Sequence, residues 1–300
     1  MPEGAMRWWS AELNLSGFPP IENAGVFLAS GRGKEGDGVI LGVPLDDTSS
    51  FRPGSRFAPQ AVRAASQALE EYSIRRRRDL RSLSFYDAGD LILPLGDTVL
   101  SLEIIKDSVV HFLKRGEKPF LLGGEHTLTY GAVKGCLEVH RGIAVIIMDA
   151  HADRRPAYRG VAVSHASVAY LLHRLEGVTL YQFGVRSAEQ EEMAMLQGEK
   201  VSFFSLAEPL KKTLPLLRGM PLYISLDMDV VDPAFAPGVT APEPGGIFPG
   251  ELLEIFSLLE DYREQVVAFD LVEVCPPYDY AQITALLGAK LMREALLTFL

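Results

Sequence analysis

The chain alternates short runs of Val, Ile, Leu and Phe with stretches of helical pattern along most of its length. This alternation is typical of a parallel sheet covered by helices. Eight runs predict strands: Gly38–Val43, Ser84–Ala88, Pro119–Leu122, Ile143–Asp149, Thr179–Val185, Val201–Phe204, Leu222–Asp227 and Val266–Val272. Helices are predicted at Pro59–Tyr72, Leu100–Arg115, Leu128–His140, Ala166–Leu175, Ala188–Leu196, Leu206–Leu217, Pro249–Tyr262 and Ala281–Leu300. We therefore expect an α/β fold with a mostly parallel sheet of about eight strands.

Composition agrees with a folded, globular chain. Of the 300 residues, 48% are hydrophobic and 23% are charged, so the chain can bury a sizeable core and shows no signature of disorder. Length alone leaves one or two domains open. Because no repeat, linker or low-complexity tract divides the sequence, we expect residues 1–300 to form a single domain.

The sequence carries no recognisable targeting segment. Met1–Leu15 has no unbroken apolar run of signal-peptide length, and Gly, Pro or charged residues interrupt every candidate for a membrane span. Two cysteines, Cys136 and Cys275, provide no disulfide framework. These features predict a soluble, cytoplasmic protein without a membrane partner.

The charge balance bears on possible partners. A formal net charge of −10 argues against nucleic-acid binding and favours the approach of a small cationic substrate. The basic run at residues 75–78 is short and follows Glu70 and Glu71, so we interpret it as a solvated helix end. Asp232–Gly250 is rich in Pro and Gly without a regular period, which predicts a long loop after a strand.

Metal-binding side chains follow two of the predicted strands. Asp149, His151 and Asp153 come at alternate positions, and Asp227 and Asp229 are again two residues apart. Alternation in extended backbone points such side chains the same way. The carboxyl ends of parallel strands are also where open α/β sheets bind ligands. The two clusters are therefore expected to converge.

A third strand ends in Gly123-Gly124-Glu125-His126, whose glycines would let the backbone turn tightly and bring His126 to the same edge. Taken singly, each motif has an ordinary explanation, because Asp often caps a helix and a lone His usually packs. Their coincidence at three strand ends is improbable by chance. Four clustered aspartates require a compensating charge, and carboxylates with imidazole suit ions such as Mn²⁺. The sequence predicts two divalent ions.

These motifs resemble those of the ureohydrolase family, which includes arginases and agmatinases. The family signatures D-A-H-x-D and S-x-D-x-D-x-x-D-P match residues 149–153 and 225–233. Residues 123–127 follow the signature G-G-D-H-S except that Glu125 replaces the usual Asp and Thr127 the usual Ser. The segments 52–59 and 270–279 add to the resemblance. It implies a three-layer α/β/α domain, a binuclear manganese centre, and a homo-oligomer that is a trimer or hexamer.

The resemblance also implies a ligand set for two Mn²⁺ ions per subunit. Matched by position, one ion takes His126, Asp149, Asp153 and Asp227, and the other takes Asp149, His151, Asp227 and Asp229. Asp149 and Asp227 would then bridge the ions, with a shared hydroxide as the nucleophile. In this hypothesis the hydroxide attacks a guanidinium carbon, Asp153 helps to stabilise the tetrahedral intermediate, and urea and an amine are released.

Two further catalytic roles follow from the resemblance. Glu273 matches the carboxylate that hydrogen-bonds the guanidinium, and His165 matches the proton-shuttle histidine. The remaining histidines in helical patterns, and both cysteines, are interpreted as surface or packing residues, with Cys275 near Glu273: His111, His140, His173, Cys136 and Cys275.

The substrate is less tightly specified by the sequence. Residues 154–160 lack the Asn and Ser/Thr pattern of arginases, and residues 236–243 look more like agmatinases, so agmatine is the leading substrate. Arg154, Arg155 and Arg159 would instead favour a carboxylate if they faced the pocket. A guanidino-acid hydrolase such as guanidinobutyrase is therefore the first alternative, followed by arginase and aminopropylagmatine ureohydrolase. A metal-binding scaffold without activity is the alternative of another class, and a single-zinc deacetylase is a weaker one.

Overall fold

A computed structural model describes residues 19–31 and 35–300 of the chain. Its strands are β1 (Ile21–Glu22), β2 (Gly38–Val43), β3 (Tyr72–Ser73), β4 (Arg78–Asp79), β5 (Phe85–Leu91), β6 (Lys118–Gly123), β7 (Ile143–Met148), β8 (Val178–Val185), β9 (Val201–Phe203), β10 (Leu222–Asp227) and β11 (Val266–Val272). Within this described part, nine strands form one sheet in the order β1-β5-β2-β6-β11-β10-β7-β8-β9.

All eight predicted strands are confirmed, with ends within a few residues of those expected. They run parallel to one another, and the ninth strand, β1, pairs antiparallel with β5 at the edge of the sheet. Apolar patterning could not identify β1 because it contains only Ile21 and Glu22.

The helices are α1 (Ala58–Ser66), α2 (Thr98–Lys114), α3 (Leu128–Leu137), α4 (Val168–His173), α5 (Gln190–Met195), α6 (Ala207–Thr213), α7 (Pro249–Leu259) and α8 (Ile283–Phe299). Each lies within or close to a predicted helix. α1 ends six residues before the end predicted for it, because the chain turns after Ser66 towards a small hairpin of β3 and β4.

The helices lie on both faces of the sheet, as a three-layer α/β/α fold requires. In β7, Ile143, Val145 and Ile147 pack in a cluster with α2, α3 and α4. The alternate residues Ala144 and Ile146 pack in a second cluster with α1, α6, α7 and α8. Because successive side chains of a strand point to opposite faces, an uninterrupted apolar strand supplies both cores.

The run of four arginines was wrongly interpreted as a solvated helix end. It lies in the hairpin of β3 and β4. Arg76 is 2% exposed and pairs with Glu294 and Glu260, both at 3.1 Å, while Arg78 donates to the carbonyl of Leu297. These arginines fasten the hairpin to α8, and because two acids neutralise Arg76, the run is not a free basic patch.

Within residues 19–31 and 35–300, no helix is long and apolar enough to cross a membrane.

The sheet order determines which loops meet. β6, β11, β10 and β7 are consecutive neighbours and run parallel, so their carboxyl ends form one continuous edge at the centre of the sheet. β2 and β8 extend this edge on either side. Loops that are distant in sequence are thereby brought together over a single depression.

A buried ion pair between α1 and β5 gives a stability test. Arg63 is 2% exposed, and its guanidinium contacts Asp87 at 2.8 Å and also Asp90. We expect Arg63→Met to lower the free energy of unfolding by about 3–5 kcal/mol, because two buried carboxylates lose their cation. Arg81→Met removes an exposed pair with Asp79 and should change it little. Urea unfolding followed by circular dichroism measures both, and equal effects would contradict the interpretation.

Candidate active site and metal centre

The residues that the sequence singled out meet at the carboxyl edge of the sheet. His126 follows β6, Asp149, His151 and Asp153 follow β7, and Asp227 and Asp229 end and follow β10. Glu273 is the first residue after β11. All except Asp149 line one cavity of about 230 Å³, and Asp149 lies buried beneath it, 3.1 Å from His126.

The six candidate metal ligands make close mutual contacts. Nδ1 of His126 lies 3.1 Å from Asp149, 3.3 Å from Asp227 and 3.5 Å from Asp153. Nδ1 of His151 lies 2.8 Å from Asp229 and 3.7 Å from Asp149. Two sets emerge, in each of which one donor atom per residue lies within 4.8 Å of the others: His126, Asp149 and Asp227, and Asp149, His151 and Asp229.

Unpartnered atoms test whether these residues fit metal ions. Nδ1 of His126 and Oδ2 of Asp149 are both buried and make no hydrogen bond. Buried polar atoms normally have hydrogen-bond partners. These two atoms are adjacent and can each offer a lone pair, so a bound cation would satisfy both. Imidazole and carboxylate donors without thiolate suit hard or borderline divalent ions. The residues therefore fit a centre of two ions, in which Asp149 is common to both sets.

Neighbouring hydroxyls hold His126 in the orientation that such a centre needs. Its Nε2 lies 3.0 Å from Oγ of Ser225, which donates to Asp270 at 2.7 Å. Asp270 also accepts hydrogen bonds from Tyr223 and Thr129. Because the Ser225 proton points to Asp270, the Ser225 oxygen accepts the proton of Nε2. When His126 is neutral, its Nδ1 is therefore the nitrogen that offers a lone pair on the side of the aspartates.

Crowding of the acids shifts their protonation in the metal-free centre. Burial and the charge of Asp149 raise the pKa of Asp153 to about 7, and burial with Asp229 and Asp149 raises the pKa of Asp227 well above its usual range. Burial opposes charge on His126 and His151, but the surrounding carboxylates raise the pKa of both. Without metal, the centre is therefore held together by protons.

Glu273 is held in place by two hydrogen bonds. Its Oε1 accepts the backbone N–H of His126 at 2.5 Å, and its Oε2 accepts the hydroxyl of Thr240. Burial raises the pKa of Glu273 to about 8. Both Glu273 and Asp153 have positive φ, 67° and 49°, which is uncommon for residues with side chains and concentrates at functional sites.

The glycines of the G-G-E-H motif permit a close approach, whereas the sequence suggested a tight turn. Neither Gly123 nor Gly124 has positive φ. A Cβ on Gly124 would lie 1.9 Å from the carbonyl oxygen of Leu45, and one on Gly123 would lie 2.7 Å from Val272. Glycine here lets the loop after β2 pass directly against the end of β6.

His165 also lines the cavity, at the start of a 3-10 helix that spans His165–Ser167. Its Nδ1 is 3.2 Å from the hydroxyl of Thr48, its Nε2 is 3.1 Å from that of Ser50, and its ring packs edge-on against Tyr158. Burial, with the nearby charge of His151, lowers the pKa of His165 to about 4. Its imidazole is consequently neutral near pH 7.

The three arginines after Asp153 do not all face the cavity. Arg154 is 3% exposed and donates to Gln182 at 2.8 Å. Arg159 is exposed, over the ring of Tyr158 at 5.5 Å. Arg155 lines the cavity, but two glutamates of the α5 region pair with it, Glu192 at 3.3 Å and Glu189 at 3.2 Å.

Sequence reasoning missed several residues that shape this site. Thr48 and Ser50 follow β2, Thr240 lies in the long loop after β10, and Glu192 lies in α5. Arg186 holds that loop, donating at 2.7 Å to the carbonyl oxygens of both Asp229 and Glu243. Single hydroxyls and surface-type charges carry no pattern of their own, so only the neighbouring family motifs could have drawn attention to them.

The residues that the sequence assigned to packing fit that interpretation. Cys136 is fully buried, and Cys275 is buried with its thiol toward the carbonyl oxygens of Arg52 and Pro53. Burial, with the charge of Glu273, raises the pKa of Cys275 to about 12, so it is no nucleophile. His111, His140 and His173 do not line the cavity.

Comparison with known proteins identifies similar chains. A model described as the arginase family matches residues 36–298. The agmatinase of Bacillus subtilis (strain 168) is 41% identical over 286 residues, which cover 94% of this chain and 99% of that protein. The agmatinase of Halalkalibacterium halodurans is 42% identical, covering 86% and 91%. The solved structure of the agmatine ureohydrolase of Thermoplasma volcanium superposes with a TM-score of 0.81 at 33% identity, covering 91% and 94%.

A metal ion that binds the centre would displace the protons bound there, so metal binding can be measured through proton release. We expect binding of a divalent ion to release protons and to tighten as the pH rises, because the ligands must be deprotonated. Isothermal titration calorimetry in two buffers of different ionisation enthalpy measures the release. Asp149→Ala should lose most of the binding, since both ligand sets share Asp149. Uptake without proton release would contradict this view of the centre.

The raised pKa of Asp153 also predicts how the stability of the metal-free protein changes with pH. In the metal-free protein, folded Asp153 keeps a proton up to about pH 7, whereas an ordinary aspartate loses it near pH 4. Between these values the folded chain binds more protons than the unfolded chain, so this group lowers stability as the pH rises. We expect the increase in thermal midpoint on adding metal to be larger at pH 8 than at pH 5. Calorimetric scans measure this increase, and an increase that does not depend on pH would mean that the acids are ionised throughout.

Proposed function

Because the chain belongs to the arginase family, whose members are metal-dependent hydrolases of amidino C–N bonds, we propose that it hydrolyses agmatine to putrescine and urea at two Mn²⁺ ions. The observation that carries the proposal is the convergence on one cavity. The six candidate ligands meet there with a buried carboxylate, Glu273, and a neutral imidazole, His165.

Each of these side chains has a role in the proposed reaction. When bound, the two ions would supply Lewis-acid stabilisation of charge and activation of water. Glu273, fixed by His126 and Thr240, can pair with the planar guanidinium. Asp153 would bind one ion and lie beside the reacting carbon. His165, across the cavity, is placed to exchange a proton with the departing amine.

The charges around the cavity favour agmatine over a guanidino acid. Arg155 is the only arginine or lysine among the described residues that line the cavity, and Glu189 and Glu192 together outweigh its charge. A carboxylate at the far end of the substrate would find no unpaired cation there, whereas an amine would meet net negative charge. The concern that the sequence raised about Arg154 does not apply, because that side chain points away.

Three expectations from the family resemblance complete the proposal. Manganese suits the oxygen and imidazole donors of the centre. Assembly as a homotrimer or homohexamer follows the resemblance. A cytoplasmic location agrees with two buried cysteines that remain unpaired in the described part of the chain.

Urea release is the direct test of the proposal. Metal-stripped protein supplied with Mn²⁺ should release urea from agmatine with a kcat/KM at least about tenfold above that for 4-guanidinobutyrate or arginine. The first compound replaces the terminal amine by a carboxylate and the second adds a carboxylate beside it, and in this setting either change should cost more than about 1.4 kcal/mol. Asp149→Ala should be inactive. Preference for 4-guanidinobutyrate would establish the guanidino-acid alternative, and stoichiometric metal binding without urea from any compound would establish the scaffold.

The role of Glu273 can be tested separately. Glu273→Gln keeps the size and the acceptor for the His126 N–H but removes the charge that pairs with the guanidinium. We expect kcat/KM for agmatine to fall about 10–100-fold, since a charge-assisted hydrogen bond contributes about 1.5–3 kcal/mol. Glu254→Gln, an exposed position in α7 outside the cavity lining, is the control and should leave kcat/KM unchanged. Equal activity of the two variants would remove Glu273 from substrate binding.

A further inference from the structure

The hydroxyl of Thr48 contacts three groups at once. It lies 2.8 Å from Oε1 of Glu125, 3.0 Å from the backbone nitrogen of His165 and 3.2 Å from Nδ1 of the same histidine. Thr48 and Glu125 are 77 residues apart in sequence, and Thr48 and His165 are 117 apart. The loop after β2 therefore connects the G-G-E-H loop to the 3-10 helix that carries His165.

The direction of the Thr48 proton follows from its partners. Glu125 is fully buried and is surrounded by donors, which are the N–H and hydroxyl of Thr48 and the hydroxyl of Thr127 at 2.6 Å. Burial raises the pKa of Glu125, and the three donors oppose that shift. The backbone N–H of Thr48 can only donate, and two hydroxyls converge on Oε1, an arrangement that fits a carboxylate, which accepts hydrogen bonds and cannot donate. The Thr48 hydroxyl accordingly donates to Glu125, and its two lone pairs remain for His165.

Both remaining contacts must then be donated by His165. Its backbone N–H can only donate, and the second lone pair of Thr48 needs a proton on Nδ1. A neutral imidazole that carries its proton on Nδ1 has a bare Nε2. That atom faces Ser50, at 3.1 Å, and the edge contact with Tyr158 limits rotation of the ring.

Nε2 and its neighbour Ser50 lie between two cavities. Ser50 and His165 line the main cavity, and both also line a smaller cavity of about 20 Å³, together with Glu273 and the exposed Phe51. That volume holds about one water molecule. Nε2 is thus placed between the main cavity and a small space beside the exposed Phe51.

We propose that Thr48 is a positioning residue, which fixes His165 as the tautomer protonated on Nδ1 and so makes Nε2 the atom that exchanges protons beside Ser50. The inference rests on the proposed function for the role of His165. A proton that binds Nε2 gives an imidazolium whose Nδ1–H still donates to Thr48, so no other proton needs to move. Glu125, one methylene longer than the family's usual Asp, is the anchor that orients the Thr48 hydroxyl.

Neutron diffraction from crystals of the deuterated, Mn²⁺-loaded protein tests the tautomer directly. At a pH well above the usual imidazole value of about 6.5, we expect deuterium on Nδ1 of His165, directed at Thr48, and none on Nε2. Deuterium on Nε2 with a bare Nδ1 would overturn the proposal. This measurement needs no turnover, so it stands even if the protein releases urea from no guanidino compound, an outcome that would refute only the proposed function.

Three variants test the consequence for catalysis. Thr48→Val removes the hydroxyl at nearly constant volume, and kcat for agmatine should fall about 10–100-fold with KM within about threefold, because proton transfer and not binding is affected. Thr48→Ser restores the hydroxyl and should recover most of kcat. Thr213→Val is the matched control, since Thr213 is also half-buried and also donates one hydrogen bond, at 3.0 Å to Pro209, but lies in α6.

Circular dichroism and Mn²⁺ content verify that each variant folds and binds metal. An unchanged kcat in folded Thr48→Val, or an equal loss in Thr48→Ser, would overturn the proposal. If Thr48→Val does not fold, the diffraction result on the unmodified protein decides alone.

Discussion

Repulsion among buried carboxylates is the constraint on which the rest of this structure depends. Asp149, Asp227 and Asp229 are each no more than 2% exposed and lie within reach of two imidazoles at one edge of the sheet. A flexible scaffold would relieve such repulsion by moving the acids apart. Here each acid is attached to the end of a buried strand, and two neighbouring strands cannot separate without losing their hydrogen bonds. The centre must therefore be neutralised where it stands, by protons or by metal.

The same rigidity divides the site into two parts. The candidate metal ligands lie at or just after the ends of β6, β7 and β10, which pair with their neighbours in the sheet. Other residues that line the cavity, such as Thr240, Ser50 and Glu192, lie on loops or short helices around it. Hydrogen bonds such as those from Thr240 and the His126 backbone to Glu273 connect the two parts. In the proposed reaction, the sheet would thus fix the metal ligands, and the surrounding loops would determine which substrate binds.

The parts of the structure that sequence reasoning predicted are those with a repeating physical cause. Strands buried on both faces must be apolar throughout, so all eight were recognised, whereas the two-residue β1 had no period to detect. The metal-type residues were recognised because alternation brings Asp149, His151 and Asp153 to one side. The burial of the Arg76 side chain could not be predicted, since it depends on Glu294, which is 218 residues away in sequence. The tautomer of His165 likewise depends on partners from two distant loops.

The attachment of the substrate-facing residues to separate loops has an evolutionary consequence. Loop sequences can change in length and charge without altering strand pairing, so a lineage could exchange one guanidino substrate for another while the reaction centre stays intact. The loop that Arg186 fastens to Asp229 and Glu243 is an exception, because its carbonyl anchors lie beside a ligand strand. Changes there would disturb substrate choice and metal retention together, and that loop should therefore diverge more slowly than the segment around Arg155.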